Sequence, residues 1–213
     1  MKGLISSKKK KNMKIETLEL GNYYHIYNRG NNGSNIFFEE ENYAYFLRLY
    51  QKYISPVANT LAWCLMRNHF HFLVYLKEES EINRTDFKYS TRSEVSSVDP
   101  SRQFSHFFNA YTQAINKKYS RTGSLLEKPF ERKRITSEDY LKKLISYIHN
   151  NPVHHSIAKN ISSYPWTSYH EFLRQEENIV KKKEVLELFD DLENFKHYHQ
   201  KEHTIEPFQD LEP

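Results

Sequence analysis

The sequence predicts an α+β fold of the ferredoxin-like, split βαβ type: an antiparallel sheet with helices on one face, joined by a C-terminal helix. Three observations carry this expectation. Strand-like runs of aromatic and β-branched residues fall at 23–29, 60–66 and 70–76, apolar residues recur at helical spacing between and after them, and the order reads β-α-β-β-α-β. The fold class alone names no function.

Residues 23–29, Tyr-Tyr-His-Ile-Tyr-Asn-Arg, favour a strand, and Gly30 and Gly33 among asparagines close it with a turn. In 39–54, Tyr43, Phe46, Leu47 and Tyr50 stand at helical spacing, and Pro56 stops the helix. Residues 60–66 and 70–76 are two strands separated by Arg67-Asn68-His69. Residues 77–99 are polar and poor in core residues, which predicts an irregular surface excursion. Phe104, Phe107, Phe108, Tyr111 and Ile115 mark a second helix ending near Thr122-Gly123. Residues 125–135 give a fourth, basic strand that Pro129 confines to a sheet edge or a bulge. Ser137 opens a third helix, with Glu138 and Asp139 in its first turn where acids suit the helix dipole, and Pro152 predicts its end. Beyond Val180 the tail adds a helix or stays mobile.

A chain of 213 residues with 38% hydrophobic and 15% aromatic residues can bury a core, which excludes global disorder. One cysteine, Cys64 in an apolar run, excludes an internal disulfide framework and a multi-cysteine zinc site. No apolar stretch approaches membrane-spanning length, and no apolar run follows the basic start, so a soluble, cytoplasmic protein is expected. The net charge of +4 is mild but uneven, with six lysines and no acid in residues 1–14 and a second basic group at Lys128, Arg132, Lys133 and Arg134. Such patches suit a polyanion, although solvated surface is the plainer account of charge alone.

The chemistry concentrates in Asn68-His69-Phe70-His71-Phe72. Strand side chains alternate, so Phe70, Phe72, Val74 and Leu76 make one apolar face while His69 and His71 project together from the other. Two imidazoles so placed can share a divalent ion, and two surface histidines on an open sheet face fit the pattern as well. On the third helix Tyr140, Leu141, Leu144, Ile145 and Ile148 form an apolar stripe, with Tyr147 and Asn151 one turn apart at its rim. A rim tyrosine can lie over the sheet with its hydroxyl exposed, and Asn151 can offer a hard oxygen. An amphipathic tyrosine and a helix-ending asparagine would show the same spacing.

Tyr24-His25-Ile26-Tyr27-Asn28-Arg29-Gly30, Arg67-Asn68-His69-Phe70-His71, Tyr147-Ile148-His149-Asn150-Asn151-Pro152-Val153 and Tyr164-Pro165-Trp166-Thr167-Ser168-Tyr169 together resemble the IS200-type transposases, the HUH single-strand DNA endonucleases, and in particular their REP-associated tyrosine transposase branch. The resemblance spans about residues 20–172. It divides the chain into a basic flexible lead-in (1–20), a catalytic domain (21–172) and a C-terminal tail (173–213). It implies His69, His71 and Asn151 as ligands of a divalent metal, Mg²⁺ or Mn²⁺, and Tyr147 as the nucleophile that forms a 5′-phosphotyrosine. Insertion-sequence members tend to carry Gln where this chain has Asn151, which points to the REP-associated branch and away from autonomous transposition.

The partner so implied is single-stranded, hairpin-flanked DNA, with monomer and homodimer both open. Lys128, Arg132, Lys133 and Arg134 are candidates to position phosphates, and Arg29 and Arg67 with flanking aromatics to hold unpaired bases; structural ion pairs are the competing account. His106, His149, His154 and His155 are candidates by type for the acceptor of the Tyr147 proton. A non-catalytic RNA- or DNA-binding module on the same fold would need the basic and aromatic residues but not the His69, His71, Tyr147 and Asn151 set. A replication-initiator nickase is the third reading.

Overall fold

A computed structural model of the chain describes residues 16–87, 98–176 and 179–201. The lysine-rich start, residues 88–97 of the predicted surface excursion and the end of the tail lie outside the described residues. β1 (Tyr23–Arg29), α1 (Glu40–Tyr53), β2 (Ala58–Met66), β3 (His69–Leu76), α2 (Pro100–Lys118), β4 (Glu131–Ile135) and α3 (Glu138–His154) follow in the predicted order. They are joined by α4 (Tyr169–Leu173), α5 (Lys182–Leu188) and α6 (Leu192–Gln200). The sheet is antiparallel throughout with strand order β2-β3-β1-β4, the interleaved arrangement of a split βαβ fold.

Local chemistry fixes the ends. Glu39 and Asn42 cap α1 reciprocally, Asp99 accepts from the Arg102 amide at the start of α2, and Ser137 accepts from the Tyr140 amide at the start of α3. After β1 the chain turns so tightly that a Cβ on Gly30 would sit 1.8 Å from the Ser34 carbonyl oxygen, so only glycine fits there. Phe70 and Phe72 of β3 face α1 and α2, where Tyr50 stacks on Phe72 at 4.2 Å and Phe46 packs on Phe70 and Phe107 at 5.1 and 4.6 Å. Each such ring removed from water contributes about 1.5–3 kcal/mol.

Three expectations are corrected, and the alternative left open for the tail is decided. The face opposite α1 and α2 is not open over β2 and β3, because α3 lies on it. Ala62 and Cys64, paired with Leu73 and His71, make that face of β2 apolar as well, and a strand buried on both sides needs a cover on both. The basic strand begins at Glu131 and not at residue 125, the cis Lys128-Pro129 bond lying before it. It is an edge strand, as Pro129 suggested. α3 runs past Pro152 to His154, since a proline in the last turn forfeits few helical bonds. The tail supplies two helices, α5 and α6.

Sheet edge β2 is closed by the chain itself. The Leu65 amide donates to the Trp166 carbonyl, the Ser168 amide to the Trp63 carbonyl, and the Lys181 amide to the Thr60 carbonyl. No helix among the described residues is long and apolar enough to cross a membrane.

Candidate active site

β3 and α3 bring the sequence-predicted residues together. His69 and His71 point from β3 toward α3, and His69 Nε2 stands 3.2 Å from Asn151 Oδ1. The Tyr147 ring meets the His71 ring edge-on at a centroid distance of 5.9 Å. The tyrosine is not at an exposed rim: α4 and α6 pack behind α3, and Tyr147 is only 2% exposed. His71 and Asn151 are fully buried.

The site's polarity follows from its hydrogen bonds. His69 Nδ1 lies 2.8 Å from Asn68 Oδ1, an atom that only accepts, so this nitrogen carries the proton. In the neutral ring that leaves Nε2 an acceptor, facing a second acceptor, Asn151 Oδ1. A second ring proton, a shared cation, or a turned Asn151 amide that presents Nδ2 to the ring reconciles the two. His71 Nδ1 is 3.0 Å from Nε2 of His25, which comes from β1, while its own Nε2 is buried without a hydrogen-bond partner, as is Asn151 Nδ2. Burial above all, with the charges of His25, His69 and His155, holds the His71 imidazole well below the usual histidine range, so it stays neutral with a lone pair to give.

These features fit a divalent metal. The outer nitrogen of each histidine is held by a neighbour, Asn68 or His25, as metal-ligating histidines are. Adjacent ligands of an octahedral ion with bonds of about 2.1 Å stand about 3 Å apart, close to the His69–Asn151 separation. Among the described residues no group of three or more His, Cys, Asp or Glu side chains is arranged to hold a metal. The set here is two imidazoles and an amide.

Of the four histidines considered for the Tyr147 proton, two stand at the site. The exposed His154 lies with its ring centroid 5.7 Å from that of Tyr147, and His155 meets His69 at 5.0 Å. His106 sits on α2 beside Arg102, on the other side of the sheet. His149 is turned away into a buried relay. His199 Nδ1 donates to the Phe195 carbonyl at 2.7 Å, so its Nε2 accepts from His149 Nδ1 at 2.8 Å; His149 Nε2 then accepts from the Ser168 hydroxyl at 2.7 Å. With neutral rings, the Phe195 carbonyl at one end sets the direction of donation along the chain, and the Ser168 hydroxyl at the other also lies 3.3 Å from the Trp63 carbonyl.

The relay clamps α6 to the helix bearing Tyr147. Burial first, then the charges of His199 and His170, keeps His149 well below the ordinary histidine value. The unfolded chain therefore takes up this proton first as pH falls. The stability it contributes is complete above about pH 6.5 and is lost as pH drops from there toward the folded-state value. Denaturant unfolding is expected to show a less stable protein at pH 5 than at pH 8, and His199→Ala to cost about 1–3 kcal/mol by orphaning the His149 N–H. Equal stability of wild type and variant across that range would remove the relay from the account.

The basic candidates divide. Arg29, on β1 opposite His69, pairs with Glu127 at 3.2 Å, and Arg67 is exposed at the β2–β3 turn. Strand alternation separates the β4 residues. Lys133, paired with His25, donates to the Tyr140 hydroxyl at 3.1 Å, whereas Arg132 lies over Phe130 at 3.7 Å and donates to Ser101 of α2. Arg134 is bound to Glu19 at 2.9 Å and to Asn22, and Lys128 is exposed. Lys133 thus leaves one face of β4, Arg132 and Arg134 the other, and Lys128 precedes the strand. His25 was missed as a site residue. Alternation puts it on one face with Tyr27, but only the β1–β3 pairing brings it to His71.

No family model and no curated protein matches the sequence. Among solved structures the chain is similar to a REP-associated tyrosine transposase bound to a REP hairpin, with a TM-score of 0.57 at 17% identity over 79% of this chain and 89% of that one. A bacterial tRNA(His) guanylyltransferase-like protein in complex with ATP aligns over 84% of this chain and 75% of that one, at a TM-score of 0.38 and 10% identity, too distant to bear on the fold. The first likeness agrees with the four-stranded antiparallel architecture.

Proposed function

We propose that the chain is a metal-dependent endonuclease and strand transferase of the transposase type, acting on single-stranded DNA beside a hairpin. The observation that carries this reading is the meeting of Tyr147, His71, His69 and Asn151 between β3 and α3, with His69 Nε2 and Asn151 Oδ1 3.2 Å apart. The fold likeness to a transposase bound to a REP hairpin supports the choice of substrate.

In this reading His69, His71 and Asn151 would hold the divalent ion. When bound, the ion neutralises phosphate oxygens and makes phosphorus more electrophilic. Tyr147 lies under cover, so strand binding must displace side chains over it before its hydroxyl reaches a phosphate. The Tyr147 oxygen then bonds to phosphorus as the bond to the 3′-oxygen breaks. The phenol proton passes to a base, for which His154 is placed beside the ring, and the departing 3′-oxygen takes up a proton to become a hydroxyl. The phosphotyrosine ester conserves the bond energy, so a second 3′-hydroxyl can displace Tyr147 and rejoin strands. Water as nucleophile would discard it.

Wild-type protein incubated with labelled hairpin single strands and Mn²⁺ or Mg²⁺ is expected to give a DNA adduct that survives a denaturing gel. Excess chelator should abolish it, plain duplex should give little, and binding should weaken with salt as condensed counterions are displaced. Cleavage without any adduct would replace this reading with a hydrolytic nuclease, and binding without cleavage with a non-catalytic module.

A further inference from the structure

β1 brings a histidine to the candidate metal site from outside the ligand set. Antiparallel pairing sets Tyr27 opposite His71 and His25 opposite Leu73, so the fully buried His25 is the diagonal neighbour of His71 on the same sheet face. The two imidazoles meet edge to edge. His25 Nε2 stands 3.0 Å from His71 Nδ1, with ring centroids 5.1 Å apart and planes within 16°. Tyr27 lies against both rings, at 4.6 Å and 24° from His25 and at 5.9 Å and 19° from His71. On the other side of β1, Lys133 is opposite His25 but gives its ammonium to Tyr140 of α3.

One hydrogen joins two neutral imidazole nitrogens so placed, and it can sit on either. When His71 Nδ1 carries it, the His71 Nε2 lone pair is left to bind a cation. When His25 Nε2 carries it, His71 holds its own proton at Nε2 and has nothing to offer a metal. His71 Nε2 is buried without a hydrogen-bond partner among the described residues, so the choice is made at Nδ1. Metal-ligating histidines usually rest on a carboxylate, a carbonyl or a water. A neutral imidazole in that place accepts as well and buries no charge.

We propose that His25 is the positioning residue of the metal site. It accepts the His71 Nδ1 proton, which commits the Nε2 lone pair to a divalent cation, and with Tyr27 it fixes the plane of the His71 ring. The inference rests on the metal reading of His69, His71 and Asn151 above and extends it to the residue that selects the tautomer of His71. Without an acceptor at position 25, the His71 ring is free to take the other tautomer or to turn, and either change withdraws a ligand.

Mn²⁺ titration of the full chain without DNA, followed by the electron paramagnetic resonance signal of free Mn²⁺, reads affinity apart from cleavage. His25→Leu, which fills the space but cannot accept, is expected to bind Mn²⁺ about 10- to 100-fold more weakly than wild type. His25→Gln, whose amide oxygen can reach the place of Nε2, should recover most of that loss. A packing role alone would rank the two the other way, since leucine suits a buried place better than glutamine. Wild-type affinity in a folded His25→Leu, or His25→Gln no better than His25→Leu, overturns the inference. Should His25→Leu fail to fold, nitrogen-15 spectra of the wild-type histidine rings decide: at saturating Mg²⁺ the His71 proton is expected on Nδ1, and a proton on Nε2 overturns the assignment. The two readings fail separately. Wild type that binds no Mn²⁺ removes the metal site and this inference with it, whereas Mn²⁺ binding that His25→Leu leaves unchanged removes the role of His25 alone.

Discussion

Tyr147→Phe is expected to lower strand cleavage by roughly a thousandfold or more and to abolish the covalent DNA adduct, with DNA binding near wild type. Only a hydroxyl is removed, and the ring can keep its edge-on contact with His71 and its place against His154. Tyr140 is the control, seven residues earlier on the same helix. Its hydroxyl accepts from Lys133 and its ring lies 5.0 Å from that ammonium, so Tyr140→Phe forfeits one partly exposed hydrogen bond and should retain the adduct. A gel of radiolabelled hairpin strand run against both variants reads the result. An adduct surviving in Tyr147→Phe would mean that another residue attacks.

Replacing His69 and His71 together by alanine is expected to lower cleavage by roughly 100- to 1000-fold, the scale of removing a preorganised electrostatic stabiliser. Titrated Mn²⁺ should not restore it. Both side chains lie beneath α3, so the substitution is not structurally silent. It removes the His71–His25 and His69–Asn68 hydrogen bonds and opens space beside Tyr147, at a cost of about 1–3 kcal/mol for each bond. Thermal unfolding run alongside separates the two effects: a variant still folded at the assay temperature yet inactive supports the ligand assignment. Wild-type cleavage by a folded double variant would sink it.

Much of this arrangement was legible in the amino-acid order. Alternation in residues 69–76 set His69 and His71 apart from the Phe70 and Phe72 face, and helical spacing put Tyr147 and Asn151 one turn apart. Local patterns could not tell which face α3 would cover, because that depends on β2 being apolar on both sides and on a tail that packs behind the helix. The same limit hid the burial of Tyr147. Sequence spacing also could not choose among four histidines, since His149 and His154 differ only in where α3 turns them: one toward α6, one toward Tyr147. The basic strand divides for a simpler reason. Residues counted together along the chain fall on opposite sides of a sheet.

The strip that closes β2 has a consequence for the order in which the chain becomes safe. The carbonyls and amides of Thr60, Trp63 and Leu65 are satisfied by residues 166–168 and 181, which leave the ribosome long after β2 does. Until they arrive, Ala58–Met66 is an apolar, β-prone ribbon with one side of its backbone unsatisfied, and any neighbouring nascent chain can add to it as a further strand. Residues 166–168 and 181 thus act as a late-arriving guard on the strand beside the one bearing His69 and His71. Damage to that strip would show first as aggregation, before any loss of chemistry.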